Sequence, residues 1–479
     1  MAPLSFLHLQ GPGRCRAGKT IHKESEMFAM ITPRIEKIRQ NYVNAKPQIS
    51  CERAAIWTES YQTTEGQPVC IRAAKAFYDC CDRLGVHIFE GELVVGAVGK
   101  FRKCGILTPE FSWMWVDREM DSFATRPQDP YVMTEEQRQF VREKIFPYWK
   151  GKSLEEAFLA RLPAETRRIG VDTGVIDSDS KWRQAVGEIT PDYQDVLFQK
   201  GFAGILQEAE AHIAALDDAC PEDEDKRDFY QSVILACRGI IRLAERYADE
   251  AGRLAGAEPD ADRAAELRAI AENCRHVPAH PPETFWQAVQ FVWFTQLGGI
   301  LSENPLALNP GRFDQYMDPY YEADLAAGRV TPDFAQELVE ALWLKYSEWV
   351  WTISANTADY FAGYNQFQNL TVGGKTRDGQ DAANAVSYMA LRATEEVRIP
   401  AILGVNGSDE QMAAAFAFVR DRCPSATLEL LPYHRYGEGK YRRLGPTPPG
   451  GEFAAPAPAQ LDHWRQMARD AGVEVVSYR

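Results

Sequence analysis

The sequence contains ten cysteines, the residue type here best suited to binding metals or acting as a nucleophile. They stand at positions 15, 51, 70, 80, 81, 104, 220, 237, 274 and 423. No two of them have CxxC spacing, and none lies at ligand spacing from a histidine. The histidines at 87, 212, 276 and 280 are scattered and give no metal signature. We interpret the cysteines as ordinary reduced thiols, without a metal or disulfide role.

Two further motifs have polar residues or glycines at spacings that could serve a site. "GRFDQY" places Arg312 and Asp314 two residues apart, where they could form a structural pair or orient a pocket strand; we favour a structural role. "LTVGGKTRDG" is rich in glycine but lacks the GxGxxG or P-loop context of phosphate sites, so it indicates a tight turn.

Composition limits the classes of function. The chain has 479 residues, a hydrophobic share of 45% and a net charge of −15. The acidic charge argues against broad binding to nucleic acid or to anionic membranes. No apolar run approaches the roughly 18–20 residues of a membrane span, because "FVWFTQLGGIL" is the longest candidate and is typical of buried core. We expect a cytoplasmic protein with a large core.

Hydrophobic periodicity places these residues on helices and short strands. Apolar residues recur at helical spacing through 200–275, and "TPDFAQELVEALWLKYSEWVW" predicts a helix capped by Thr331 with Pro332 in its first turn. Ser50 is predicted to cap the helix that follows it. "ELVVGAVG" (92–99) predicts a strand, and "PPETFWQAVQFVWFTQLGGIL" predicts a proline-started helix that leads into a strand. Residues 380–396 are predicted to form another helix.

Beyond residue 400 the pattern changes. "AILGVN", "SDEQMAAAFAFVRDR" and "ATLELLPYH" predict a strand, a capped helix and a second strand. This is a βαβ unit, which is typical of parallel sheets and barrels. A loop rich in proline, glycine and alanine at 444–460 precedes the predicted helix "LDHWRQMARDAG" and the predicted strand "VEVVSY".

From about residue 30 to 398, the sequence resembles the glycyl radical enzymes of the pyruvate formate-lyase and radical dehydratase superfamily. The resemblance rests on ordered motifs, among them "ISCERAAIWTESYQTTEG" (49–66), "PEFSWMWVDREMD" (109–121), "ITPDYQDVLFQKGFAGI" (189–205), "NPGRFDQYMDPYYEADLAAGRVT" (309–331) and "YNQFQNLTVGGKTRDGQDAANAVSYMAL" (364–391). It implies a helix-rich α/β fold and the first half of a ten-stranded β/α barrel. It also implies anaerobic radical chemistry in a homodimer.

The same resemblance shows what the chain lacks. In this family a glycyl radical, made by a radical S-adenosylmethionine activating enzyme, passes to a cysteine that then takes hydrogen from the substrate. Neither the cysteine loop nor the glycine-radical motif occurs in this sequence. We therefore assign no catalytic residue, no bound cofactor and no metal to the chain, and we expect it to be truncated and inactive alone.

From about residue 397, the sequence resembles the C-terminal part of a glycyl-radical-enzyme activating enzyme. "RIPAILGVNGSDEQ" and "LELLPYHRYGEGKYRRLG" carry this second resemblance. It implies the terminal βα units of a partial TIM-like barrel, without the CxxxCxxC motif that binds the iron–sulfur cluster. We interpret the chain as a chimera joined near "VRIP" (397–400), with 27–398 and 399–479 as its two parts.

Residues 1–26 are predicted to be a non-native leader. Their basic residues follow the apolar stretch, the reverse of a signal peptide, and helix-like sequence begins only near Met27. We expect translation to start at Met27 or Met30.

Five substrate-binding positions follow from the resemblance. Glu188 falls where relatives place a residue that handles a substrate proton; a carboxylate there could act as a general acid or base, bind a cation, or simply be solvated. Leu306 and Ala307 replace a polar pair of the polyol dehydratases, which implies a less hydroxylated substrate. Phe313 and Tyr364 map near the pocket, although aromatic residues in such motifs are often core residues.

The predicted function is a radical lyase or dehydratase acting on a small organic substrate. A formate C-acetyltransferase, an arylacetate-type decarboxylase and a non-catalytic chimeric remnant are the alternatives. The expected partners are a small-molecule substrate, the activating enzyme and, in the parent enzyme, a second copy of the chain. Neither nucleic acid nor membrane is expected as a partner.

Overall fold

The computed structural model describes residues 31–175, 188–217, 220–361, 368–376, 378–394, 396–401, 409–422, 427–432 and 457–475. Within these ranges the chain is a helix-rich α/β structure with three pairs of parallel strands. Tyr364 lies outside the described residues, as do residues 1–30. The half-barrel itself stays a prediction.

The first helices and strands enclose the N-terminal side of the core. They are α1 Pro33–Asn44, β1 Gln48–Ser50, α2 Glu52–Thr63, α3 Val69–Arg83, β2 Cys104–Ile106, α4 Met114–Glu119, α5 Glu135–Phe140, α6 Phe146–Trp149, α7 Leu154–Arg161 and α8 Ala164–Thr166. β1 and β2 pair in parallel, and both are almost fully buried. Three single π-turns, Val141–Ile145, Arg167–Val171 and Tyr193–Leu197, interrupt the helices.

The central part of the chain consists mainly of long helices and also includes the second pair of strands. They are β3 Glu188–Ile189, α9 Phe198–Ala214, α10 Glu222–Ala257, α11 Ala261–His276, α12 Phe285–Glu303, β4 Ala307–Leu308, α13 Phe313–Ala326, α14 Pro332–Glu348, α15 Ala355–Phe361 and α16 Ala385–Ala393. α12 is buried along nearly its whole length, because apolar residues cover every face. One continuous hydrophobic core extends from Ile35 to Met389.

The last segment has a core of its own. β5 Glu396–Ala401 pairs in parallel with β6 Thr427–Pro432, and α17 Asp409–Arg422 connects them. α18 Pro458–Asp470 follows, and Val475 extends the sheet beside Leu428. The predicted order of strand, helix and strand is confirmed, but the first strand is Glu396–Ala401, and residues 402–406 of the predicted strand lie outside the described residues.

Several predicted boundaries need correction. Thr331 caps α14 as predicted, accepting a hydrogen bond from Phe334 N. Ser50 instead ends β1, and Cys51 occupies the cap position of α2. The predicted strand at 92–99 is not regular. α12 is capped by Thr284 and continues through the predicted strand to Glu303. The helix predicted at 380–396 is confined to 385–393, after a capping box at Asn384.

No helix in the described part of the chain is long and apolar enough to span a membrane. In the same ranges, no group of three or more histidine, cysteine, aspartate and glutamate side chains is arranged to hold a metal ion.

Candidate active site

The candidate site is built on two short parallel strands that come from distant parts of the sequence. β3 and β4 pair so that Glu188 stands opposite Ala307 and Ile189 opposite Leu308. The ladder continues through a hydrogen bond from Asn309 N to Ile189 O at 2.8 Å. Gly311 then pairs with Leu370, and Thr371 N donates to Gly311 O at 2.8 Å. Three segments that are remote in sequence therefore lie side by side and run in parallel here.

The structure brings two of the five predicted positions directly together. Glu188 and Ala307 are strand partners, and Ala307 is buried. Leu306 is half-buried and packs against the main core. Phe313 is fully buried at the start of α13, with ring centroids 5.6 Å from Trp343 and 5.8 Å from Tyr316. The fifth, Tyr364, lies in the part of the chain that the structure does not describe.

Asn304 positions the strand that carries Leu306 and Ala307. It ends α12 in the left-handed conformation, with φ 49° and ψ 53°, a region that asparagine tolerates better than most residues. Its Oδ1 accepts a hydrogen bond from Trp349 Nε1 at 3.0 Å, and its carbonyl accepts one from Trp351 Nε1 at 3.1 Å. The two tryptophans are buried and fix the chain direction into β4.

Arg312 and Asp314 have the structural role predicted for them, but both bind the same neighbouring turn. Arg312 donates to the carbonyls of Gly373 and Lys375 at 3.1 and 3.2 Å. Asp314 accepts hydrogen bonds from Gly373 N and Ser387 Oγ, each at 2.5 Å. The glycine-rich turn is thus fixed to the start of α13, beside the third parallel segment.

A cavity of about 560 Å³ lies behind the strand pair. Ile189 and Leu308 line it, from positions that alternate with Glu188 and Ala307. Leu308 packs so closely on α12 that a methyl group on Gly299 would lie 2.8 Å from Leu308 Cδ2. Most of the remaining wall is apolar and comes from α2, α3, α9, α10 and α12.

A buried arginine bonds two polar residues of the cavity wall, Glu110 and Ser302. Arg53 is fully buried, and its Nη2 donates to Glu110 and to Ser302 O, both at 2.7 Å. Its Nε and Nη1 donate to Leu301 O at 2.6 Å and Leu107 O at 3.2 Å. Sequence reasoning did not single out Arg53. The sequence does place Arg53 four residues before Trp57, so that the two side chains lie on one face of a helix, and this spacing could have indicated that they contact each other.

Most of the described cysteines are buried. Burial raises the pKa of the Cys51, Cys80, Cys104 and Cys237 thiols to about 12, which keeps them protonated at neutral pH. Of the cysteines that the structure describes, Cys237 lines the cavity. All eight described cysteines are free thiols.

The family of the chain follows from a comparison over most of its length. The pyruvate formate lyase-like family model matches residues 27–402. The chain belongs to this family. The glycyl radical enzyme resemblance is thereby confirmed, and solved glycyl radical enzymes share the fold.

Individual relatives support the same assignment. The chain is 35% identical, over 397 residues, to an isethionate sulfite-lyase of Desulfovibrio desulfuricans, which covers 81% of this chain and 48% of the relative. It is 31% identical, over 373 residues, to a trans-4-hydroxy-L-proline dehydratase of Clostridioides difficile, and this alignment covers 76% of this chain and 46% of the relative. The solved glycerol-bound, B12-independent glycerol dehydratase of Clostridium butyricum matches with a TM-score of 0.73 and 33% identity, covering 85% of this chain and 52% of that one.

The chain thus spans about half the length of the curated relatives that it matches. Those relatives are a sulfite-lyase and a dehydratase of small molecules, and the residues that the family model matches include β3 and β4.

Proposed function

We propose that this chain provides the first half of a radical lyase or dehydratase that cleaves a C–O, C–S or C–N bond of a small organic substrate. The observation that carries the proposal is the 35% identity to an isethionate sulfite-lyase across four-fifths of the chain. The substrate would meet the edge formed by β3 and β4. Glu188 would handle a proton or a cationic group, while Leu306 and Ala307 would favour a substrate with few hydroxyl groups.

The hydrogen-abstracting cysteine and the glycyl radical would have to come from a second half, because this sequence contains neither motif. A radical S-adenosylmethionine activating enzyme would generate the radical. In this proposal the described residues bind and orient the substrate and exclude water from it. The chain alone would be inactive.

The test joins residues 27–398 to the second half of the D. desulfuricans isethionate sulfite-lyase. After anaerobic activation, electron paramagnetic resonance measures the radical, and product analysis tests isethionate, 1,2-propanediol, glycerol and trans-4-hydroxyproline. We expect turnover of at least one substrate. A full radical signal without turnover of any of them would contradict the proposal.

Glu188→Ala in the same fusion tests the role of the carboxylate. We expect an unchanged radical signal and a kcat lower by about 10²- to 10⁴-fold, the usual contribution of a general acid or base. Glu143→Ala, at an exposed position, is the control. The unfused chain of 479 residues should give no radical signal.

An arylacetate-type decarboxylase is the second candidate. The apolar pair Leu306 and Ala307 favours it, because a decarboxylase pocket needs no partners for substrate hydroxyl groups. Release of carbon dioxide from an aryl acetate by the fusion, without dehydration or sulfite release, would select this candidate. Acyl transfer from pyruvate to coenzyme A would instead select the formate C-acetyltransferase alternative.

We further propose that residues 399–479 derive from an activating enzyme and that the join arose near 397–400. The parallel βαβ arrangement of β5, α17 and β6 supports this origin. Sequencing source DNA across codons 380–420 with distant primers tests the join. A single product of the expected size would support a genuine fusion. A longer product that contains a cysteine loop and a glycine motif would contradict it.

A further inference from the structure

The cavity behind β3 and β4 has the size and lining of a ligand site. Its volume of about 560 Å³ falls inside the roughly 300–1,000 Å³ range of small-molecule sites. Phe77, Phe202 and Ile240 are among its apolar walls. Such walls favour a hydrocarbon or aromatic body, because its transfer from water is favourable.

The polar end of the cavity has two carboxyl groups, of Glu110 and Glu303, and in the described part of the chain only Glu110 is in an ion pair. Arg53 has its Nε, Nη1 and Nη2 engaged by four acceptors, one of which is Glu110. Glu303 also lines the cavity and has no cation at ion-pair distance among the described residues. Burial raises the pKa of Glu303; Arg53 opposes this effect and Glu110 adds to it. One guanidinium therefore faces two carboxylates.

Two polar atoms of residues that line the cavity are enclosed by the protein and have no hydrogen-bond partner among the described residues. They are Trp57 Nε1 and Glu110 Oε2. Trp57 is only 3% exposed, and the Arg53 guanidinium lies 4.0 Å from the centroid of its ring. An unpaired buried donor or acceptor costs about 1–3 kcal/mol. Because both atoms are enclosed, a ligand in the cavity would meet the Glu303 carboxyl group rather than these two atoms.

We propose that this cavity binds a small apolar amine, with its hydrocarbon body between α3, α10 and α12 and its ammonium group beside Glu303 and Glu110. An ammonium restores the charge balance, and it donates hydrogen bonds to carboxylate oxygens. The lining of this cavity includes Ile189 and Leu308 but neither Leu306 nor Ala307, which are proposed for the substrate edge. It requires neither the radical nor the second half of the parent enzyme.

Three probes with the same tail test the proposal: octylamine, octanol and octanoate. Binding to the full chain is measured by isothermal titration calorimetry and by tryptophan fluorescence, near neutral pH and at about 0.15 M salt, which screens the overall negative charge. We expect octylamine to bind about tenfold more tightly than octanol, and octanoate most weakly. Equal affinities for the amine and the alcohol, tighter octanoate, or no binding of octylamine at millimolar concentration would each overturn the proposal.

Two variants and one control locate the site. Glu303→Gln should reduce the affinity for octylamine to that for octanol, because it removes the unpaired charge without removing side-chain volume. Glu143→Gln removes one exposed charge away from the cavity and should leave all affinities unchanged. Ala236→Phe should fill the cavity and abolish binding of octylamine and octanol, with circular dichroism confirming that it folds. If octylamine binding survives unchanged in both cavity variants, the proposal is wrong.

Discussion

At the scale of single residues, a buried group of four charges fixes the loop after α3 to α14. Lys345 contacts both Glu92 and Glu348, and Arg102 contacts the same two carboxylates. Burial raises the pKa of Glu92 more than the neighbouring cations lower it. The group contains two positive and two negative charges, so the loss of any one side chain leaves a buried charge uncompensated.

Lys345→Met should therefore destabilise the protein strongly. It leaves two buried carboxylates with Arg102 alone, and breaking a buried pair costs roughly 3–5 kcal/mol. Urea unfolding measures the loss. The matched control is Lys37→Met, which breaks the exposed ion pair with Glu90 and should cost less than about 1 kcal/mol. Equal losses in the two variants would contradict a structural role for the buried group.

Asp318 should make stability depend on pH. Burial raises its pKa to about 6, and Glu322 and Asp314 add to the shift. Because the folded state favours the protonated carboxyl, this contribution is complete below about pH 4 and is lost as the pH rises through about 6. Asp318→Asn should thus be more stable than the unmodified chain at pH 7, with an advantage that shrinks toward pH 4. Urea unfolding across this range is the measurement, with Asp249→Asn as an exposed control. A difference independent of pH would refute the assignment.

At the scale of elements, residues 93–97 show how a buried segment can do without a sheet. Side chains of neighbouring helices satisfy its backbone in place of a strand partner. Gln290 bonds both Val95 N and Val95 O, at 2.9 and 2.8 Å. Tyr247 OH accepts from Ala97 N at 2.7 Å, and Trp293 Nε1 donates to Gly96 O at 3.0 Å. The apolar, β-branched sequence of this segment predicts a strand, since such residues are typical of buried strands. The segment is buried, but its backbone bonds to side chains rather than to a neighbouring strand.

Gln290→Leu should cost about 2–4 kcal/mol, because it leaves the N–H and C=O of Val95 buried without partners. Thermal and urea unfolding measure the change. Gln287→Leu, on the same helix, loses only the hydrogen bond from Glu283 N at the exposed helix start and should be mild. If both variants are mild, the side-chain bonds to Val95 do not hold the segment.

At the scale of the whole molecule, the described residues contain two hydrophobic cores. The larger extends from Ile35 to Met389, and the smaller from Met412 to Val473. Trp464 is fully buried in the smaller core and donates to Asp409 Oδ1 at 2.8 Å. Each core has its own strands and helices, so we expect each to unfold as its own cooperative unit.

Trp464→Ala should lower the stability of the smaller unit by roughly 3–5 kcal/mol, the usual cost of removing a buried tryptophan side chain. Hydrogen exchange followed by mass spectrometry should show faster exchange in β6 and α18 and unchanged exchange in α12. Phe229→Ala, at an exposed position, is the control. Faster exchange throughout the chain would instead indicate a single cooperative unit.

The sequence by itself determined the family, the long helices and the βαβ unit. Helical periodicity and local capping are short-range properties, so the cap at Thr331 and the helices between 198 and 276 could be predicted. The strand predictions for 92–99 and for the end of α12 are wrong. Both segments are buried and carry apolar residues without a clear period. In those segments an apolar run has no period that distinguishes helix, strand and irregular backbone.

Only the tertiary structure decided how the site is assembled. The pairing of Glu188 with Ala307 joins segments that are remote in sequence, and no local pattern encodes that register. Arg53 holds Glu110 and Ser302 of the cavity wall, and its local sequence gives no indication that its guanidinium is enclosed by carbonyls of α12 and by Glu110. Burial determines whether a charged side chain is solvated or organises a site, and burial is a property of the folded molecule.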